Sequence, residues 1–157
     1  MPRPAFTRLD EVQAWIGEAL DLARSGSQVP FVIVHKASGA PAGSTRYMDV
    51  QRDNRALEIG WTWLGVAHQR TPVNTECKYL LLRHAFEALG AVRVQLKTDL
   101  RNERSQQAIE RIGAKREGVL RNHKVLWDGY VRDSVFFSVI DREWPEVKRR
   151  LEGMLLR

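Results

Sequence analysis

The sequence has almost no cysteine and no long apolar run, and both shortages narrow what it can be. Cys77 is the only thiol among 157 residues, so neither an intramolecular disulfide nor a cysteine-rich metal site can form. The histidines, His35, His68, His84 and His123, show no metal-ligand spacing, and no metal is expected. No stretch approaches the roughly 20 apolar residues of a membrane span. The first residues, MPRPAFTRLDEVQAW, lack the apolar block of a secretory signal. A cytoplasmic protein is therefore expected, with no membrane partner. Aromatic residues make up only 8% of the chain and do not recur between basic residues as a base-stacking platform would require. The net charge of +6 permits a polyanionic partner. The even spread of the basic residues argues against nucleic acid and leaves a phosphate-rich cofactor open.

What is present suffices for a core. At 43% hydrophobic and 28% charged, the chain can fold without staples, and its length suits one domain over residues 1–157. Leu9, Val12, Trp15, Ile16, Ala19, Leu20 and Ala23 recur at helical spacing, with Gly26 just beyond. VPFVIVH, AGSTRYMDV and ALEIGWTWLG then read as three strands of an antiparallel meander, and Gly60 inside the third suggests a bulge or a close neighbour. TECKYLLLRHAFEALG is a helix closed by Gly90. VRVQLKT alternates Val92, Val94 and Leu96 with Arg93, Gln95 and Lys97, so one face is buried, and a strand-helix-strand crossover follows. NERSQQAIERIGA is a shorter helix. KREGVLRNHKVLW and YVRDSVFFSVI form a hairpin about Asp128-Gly129, and a last helix carries Trp144, Val147, Leu151 and Leu155 on one stripe. The expected fold class is α/β (α+β), a mixed, mostly antiparallel sheet flanked by helices.

The chemistry concentrates where QRTPVNT runs into the central helix. Unpaired amides in a helix's first turn, together with the positive end of its dipole, attract anions. Pro72 suits a tight turn, Asn74 or Thr75 can cap the helix, and Arg70 and Lys78 add charge. Taken alone, this is also how ordinary helices begin.

From EIGWTWL through NTE, KTD, the N-x-x-S at Asn102 and Ser105, EGVLR, DG-x-x-RD and EWP, the order of segments resembles the GCN5-related N-acetyltransferase (GNAT) superfamily, and most closely its RimJ/RimL-like branch. The resemblance covers nearly all of residues 30–155. It implies acetyl-CoA as cosubstrate, with its pyrophosphate in a loop of the form Q/R-x-x-G-x-G/A. Gln69 takes the first position of that loop, while Pro72 and Asn74 stand where small residues are usual. The remaining amide donors are those of Thr71, Val73, Asn74, Thr75 and Glu76, beside Arg70. The resemblance further implies that the strand ending at Leu64 diverges from the strand near Val92, with the Leu64 amide bonding the pantetheine and polarising the thioester carbonyl. It also places Asn102 on the pantetheine arm. Asn102 is equally placed to cap the helix that follows it.

Transfer to an amine needs a proton acceptor, an oxyanion donor and a group beside the departing thiolate. Many relatives use a tyrosine near the sulfur; AIERIGA has none, and Ser105 is the candidate in its place. Glu58, opposite in direction to Leu57 and Ile59, is the candidate base. Its other reading is an ion pair with Arg46 or Arg93. His123 and Trp127, beside the hairpin turn, are candidates for the acceptor wall, whereas Trp61 and Trp63 read as core. The acceptor expected is a peptide N-terminus or a small-molecule amine. The strand and helix with which the branch usually begins are apparently missing here. An open sheet edge and a homodimer would follow. The rival reading is a module of this fold that binds acyl-CoA or a partner with little turnover.

Overall fold

The computed structural model describes residues 6–156. Its elements in chain order are α1 (Leu9–Arg24), β1 (Gln28–His35), β2 (Ala40–Gln51), β3 (Ala56–Leu64), α2 (Val73–Arg83), β4 (Arg93–Asp99), α3 (Glu103–Arg111), β5 (Lys115–Val125), β6 (Val131–Ile140) and α4 (Trp144–Leu155). The helix of α2 continues as a wider turn over His84–Ala88 and stops at Gly90, whose φ of 63° is cheap for glycine alone.

One six-stranded sheet runs in the order β1-β2-β3-β4-β6-β5. Every neighbouring pair is antiparallel except β3 and β4. The expected mixed, mostly antiparallel sheet is therefore present. The β3–β4 pairing is short: only Ala56–Arg93, Leu57–Val94 and Glu58–Gln95 are in register. Beyond them the strands are not paired to each other, and a gap opens between Leu64 and Asp99.

Alternation assigns the two faces. Leu57, Ile59, Val94, Leu96, Val135, Phe137 and Val139 point to the same side and form the core with Leu81 and Leu82 of α2, Ile109 of α3, and Trp144, Val147 and Leu151 of α4. The Tyr47 hydroxyl, also on this side, donates to the Leu81 carbonyl. The opposite face carries Arg46, Met48, Glu58, Gln95, Lys97, Phe136 and Ser138, as the cross-strand register requires. Helix α1 packs on this second face at its β1–β2 end, where the Trp15 ring lies 5.0 Å from the Arg46 guanidinium and 6.2 Å from the Trp63 ring.

A bulge at the end of β3 corrects one expectation. Trp61 has φ 51°, and the β2–β3 register slips between Ser44 and Arg46. The extra residue puts both tryptophans on the α1 side. The Trp61 ring lies 4.7 Å from the Arg46 guanidinium, and Trp63 is 41% exposed, so neither belongs to the main core. Gly60 leaves room for the neighbouring side chains here: a Cβ would sit 2.5 Å from Met48 Sδ and 3.0 Å from Glu58 Oε1, so a larger residue would have to displace their ends. Among the described residues, no strand pairs with the outer edge of β1.

Candidate active site

The site is built around the β3–β4 gap. The Gly65 amide donates to Ala42 on β2, so the preceding amide, that of Leu64, points the other way, toward the gap. The Leu64 carbonyl accepts from Gln69 Nε2 at 3.0 Å, and Gln69 Oε1 accepts from Arg104 of α3 at 3.1 Å. Gln69 thereby ties the end of β3 to α3 across the mouth of the gap.

From Arg70 the chain turns into α2. Arg70 itself takes the left-handed conformation, φ 61°, making the turn without a glycine at a cost of roughly 1–2 kcal/mol. The helix starts two residues earlier than the cap expectation: Pro72 is the N-cap, and Asn74 and Thr75 lie inside the first turn rather than capping it. The amides differ in availability. The Glu76 amide is spent on the Pro72 carbonyl at 2.9 Å, and that of Val73 leans on Thr71 Oγ1 at 3.4 Å. Those of Thr71, Asn74 and Thr75 have no acceptor among the described residues. Glu76 is therefore not a backbone donor for an anion, which removes one expected contact. The Thr71 hydroxyl donates to the His68 carbonyl. Cations gather from α3: beside Arg104, Arg111 reaches Thr75 Oγ1 at 3.1 Å.

Lys78 was expected to add charge at this mouth and does not. It turns inward, 6% exposed, and donates to Thr62 Oγ1 at 2.6 Å, which in turn shares a hydrogen bond with Thr45. Burial pushes its ammonium down to about 8. The sequence held a signal: Thr75, Lys78, Leu82 and Ala85 follow helical spacing on the buried side of α2.

At the start of α3, Asn102 Oδ1 accepts from the Ser105 amide at 3.1 Å, so the capping reading holds. The Ser105 hydroxyl makes no hydrogen bond among the described residues.

On the opposite face Glu58 is 2% exposed. Its Oε2 accepts from Lys97 Nζ at 2.6 Å and from Gln95 Nε2 at 2.8 Å. The ion-pair expectation is thus met by Lys97, not by Arg46 or Arg93. Arg93 instead binds Glu117, at 2.6 Å, and Ser138 also donates to that carboxylate. Lys97 sits over the Phe136 ring, whose neighbour across the sheet is His123, with ring centroids 5.3 Å apart. His123 Nδ1 lies 2.9 Å from Ser134 Oγ. Burial lowers the proton affinity of His123, and the nearby charges of Lys97, Lys124 and Arg132 lower it further. Trp127 stands at the hairpin tip, largely exposed. The expected residues therefore divide in two. Leu64, Gln69, Arg70, Thr71, Val73, Asn74, Thr75, Asn102 and Ser105 lie at the helix-covered mouth, whereas Glu58 and His123 lie on the other face, with the gap between them.

A sheet that parts between its parallel strands, with a helix start aimed at the opening, defines the GNAT class, and the chain belongs to that family. The acetyltransferase (GNAT) domain family matches residues 2–115. The chain is 31% identical over 110 residues to YdaF of Bacillus subtilis (strain 168), provisionally named a ribosomal N-acetyltransferase; the match covers 70% of this chain and 59% of that protein. A GCN5-related N-acetyltransferase from Brucella melitensis superposes with TM-score 0.92 at 32% identity, over 99% of this chain and 68% of the other. A T. thermophilus protein described as an acetyltransferase superposes with TM-score 0.87 at 42% identity, over 99% and 80%. Among the described residues, no helix is long and apolar enough to cross a membrane and no group of three or more candidate ligands could hold a metal ion.

Proposed function

We propose that this chain transfers the acetyl group of acetyl-CoA to a primary amine, and that the amine is a protein N-terminus. The observation that carries the reading is the three-pair contact of β3 with β4, beyond which the freed Leu64 amide and the free amides of α2 share one opening. The name of the Bacillus subtilis relative supports a protein acceptor.

The residues fit the cofactor despite Pro72 and Asn74. The first turn of α2 offers the Asn74 and Thr75 amides at the positive end of an eleven-residue helix, and Arg70, Arg104 and Arg111 surround it with charge that suits a diphosphate. When bound, acetyl-CoA supplies an activated acyl thioester. The Leu64 amide donates to the carbonyl oxygen as negative charge develops there. The unbonded Ser105 hydroxyl stands ready to donate to the leaving sulfur. The acceptor amine comes from the opposite face. There, Glu58 or a water held by it receives the proton, Lys97 and Gln95 fixing which way the carboxylate points.

Calorimetry with CoA tests this reading. Saturable binding is expected, weakened at least tenfold by Asn74→Asp, which sets a negative charge beside the diphosphate. Absence of CoA uptake by folded protein at millimolar concentration would overturn the assignment.

A further inference from the structure

The open half of the second face, over β4, β6 and β5, has more cations than it can neutralise. Each of its carboxylates is spoken for. Glu58 is held by Lys97, Glu117 by Arg93, and Asp99 by the Arg101 amide at 2.8 Å with the Arg101 side chain at 3.7 Å. Lys124 and Arg132 have no such partner: among the described residues neither joins a salt bridge. They are nevertheless placed directly opposite each other on β5 and β6. Like charges in that position repel and destabilise the sheet. Arg132 Nε is also buried without a hydrogen-bond partner. A buried guanidinium N–H with no acceptor costs about 1–3 kcal/mol, a sacrifice that an arriving anion would reverse. The ammonium of Lys124 is depressed by burial and by Lys97 and Arg132, so the three cations act on one another.

We propose that Lys124 and Arg132 form an anion subsite on the acceptor side of the sheet, and that the substrate is a peptide N-terminus followed within a few residues by acidic side chains. The inference rests on the acetyl-transfer reading above. Geometry chooses the peptide over a free amino acid. The amine must reach the β3–β4 gap, whereas Arg132 lies on β6 and Lys124 on β5, one and two strand spacings beyond β4, or roughly 5 and 10 Å. An extended peptide rises about 3.3 Å per residue, so the carboxylate belongs to about the third or fourth residue, beyond the reach of an amino acid's own carboxylate. Arginine and lysine together recognise such a group through a planar fork and a point charge.

The test is fluorescence anisotropy with C-terminally labelled hexapeptides that keep a free N-terminus and carry either aspartate and glutamate or lysine at positions 3 and 4. A single-stranded oligonucleotide of matched charge is the third probe. The acidic peptide is expected to bind at least tenfold more tightly than the lysine peptide. Lys124→Ala with Arg132→Ala should reduce that preference to less than twofold, and the charge-keeping exchange Lys124→Arg with Arg132→Lys should retain it, which separates loss of charge from misfolding. Equal binding of the two peptides to the unmodified chain, a preference surviving the alanine pair, or tighter binding of the oligonucleotide would overturn the proposal. CoA calorimetry on the same sample keeps the two readings apart: CoA uptake without peptide preference sinks the subsite alone. Peptide preference without CoA uptake supports the subsite and sinks acetyl transfer.

Discussion

The two faces of the central sheet are made by the same strands, yet they obey different rules. On β4, Val94 and Leu96 meet the helices, while Arg93, Gln95 and Lys97 between them meet charge. On β6, Val135, Phe137 and Val139 are fully buried in the core, and Ser134 and Ser138 on the other side bond His123 and Glu117. The difference teaches that the helix-covered face supplies the stability that lets the other face keep buried charges in a fixed arrangement. Apolar contact is forgiving of direction; the Glu58–Lys97 pair is not.

Cutting into the first face should have the largest effect. Phe137 is completely buried at the centre of the sheet, and Phe137→Ala is expected to cost about 3–5 kcal/mol in chemical denaturation, from lost burial plus the cavity left behind. A cost below about 1 kcal/mol would show that the core is not concentrated on this side.

The second cut falls on the charged face. Glu58→Gln leaves Lys97 beside a neutral amide, and because Lys97 retains some contact with water the expected loss is about 2 kcal/mol, under the 3–5 kcal/mol of a fully buried orphan charge. Adding Lys97→Met should restore most of the stability. It should not restore turnover: if Glu58 receives the proton, acetyl transfer falls by about 100-fold or more in both variants. Recovery of turnover with stability would reduce Glu58 to a purely structural role.

Much of this contrast was legible in the chain. Alternation in VRVQLKT and in ALEIG assigned faces correctly because one side of each strand is continuously covered, and the meander of β1, β2 and β3 followed from short turns. Asn102 was readable as a cap because capping is local. What depended on pairing between distant segments was not readable. Lys97 meets Glu58 across a strand pairing set by tertiary packing, so the chain alone pointed to Arg46 or Arg93 instead. The bulge at Trp61 shifts the side-chain alternation by one residue, and from sequence alone Trp63 therefore looked buried. The helix start moved because Pro72, with φ already fixed, serves as N-cap without a side-chain bond.

Lys78 is the exception that sharpens the comparison, being a cation on the apolar face. Its proton affinity is lowered by burial, from 10.5 to about 8. Below that pH both folded and unfolded chains carry the charge, and the folded chain bears the full penalty of burying it. Between about 8 and 10.5 the folded amine is neutral while the unfolded one still binds a proton, so unfolding takes up a proton and stability rises with pH. Above that window it levels off. Lys78→Met should abolish this rise. At pH 7 the substitution removes the penalty but also a charge-assisted hydrogen bond to Thr62 worth about 1.5–3 kcal/mol, so the net gain is small, about 1 kcal/mol. Urea denaturation of both chains from pH 7 to 11 reads the outcome directly: parallel curves would mean that Lys78 reaches water and that the covered face holds no buried charge after all.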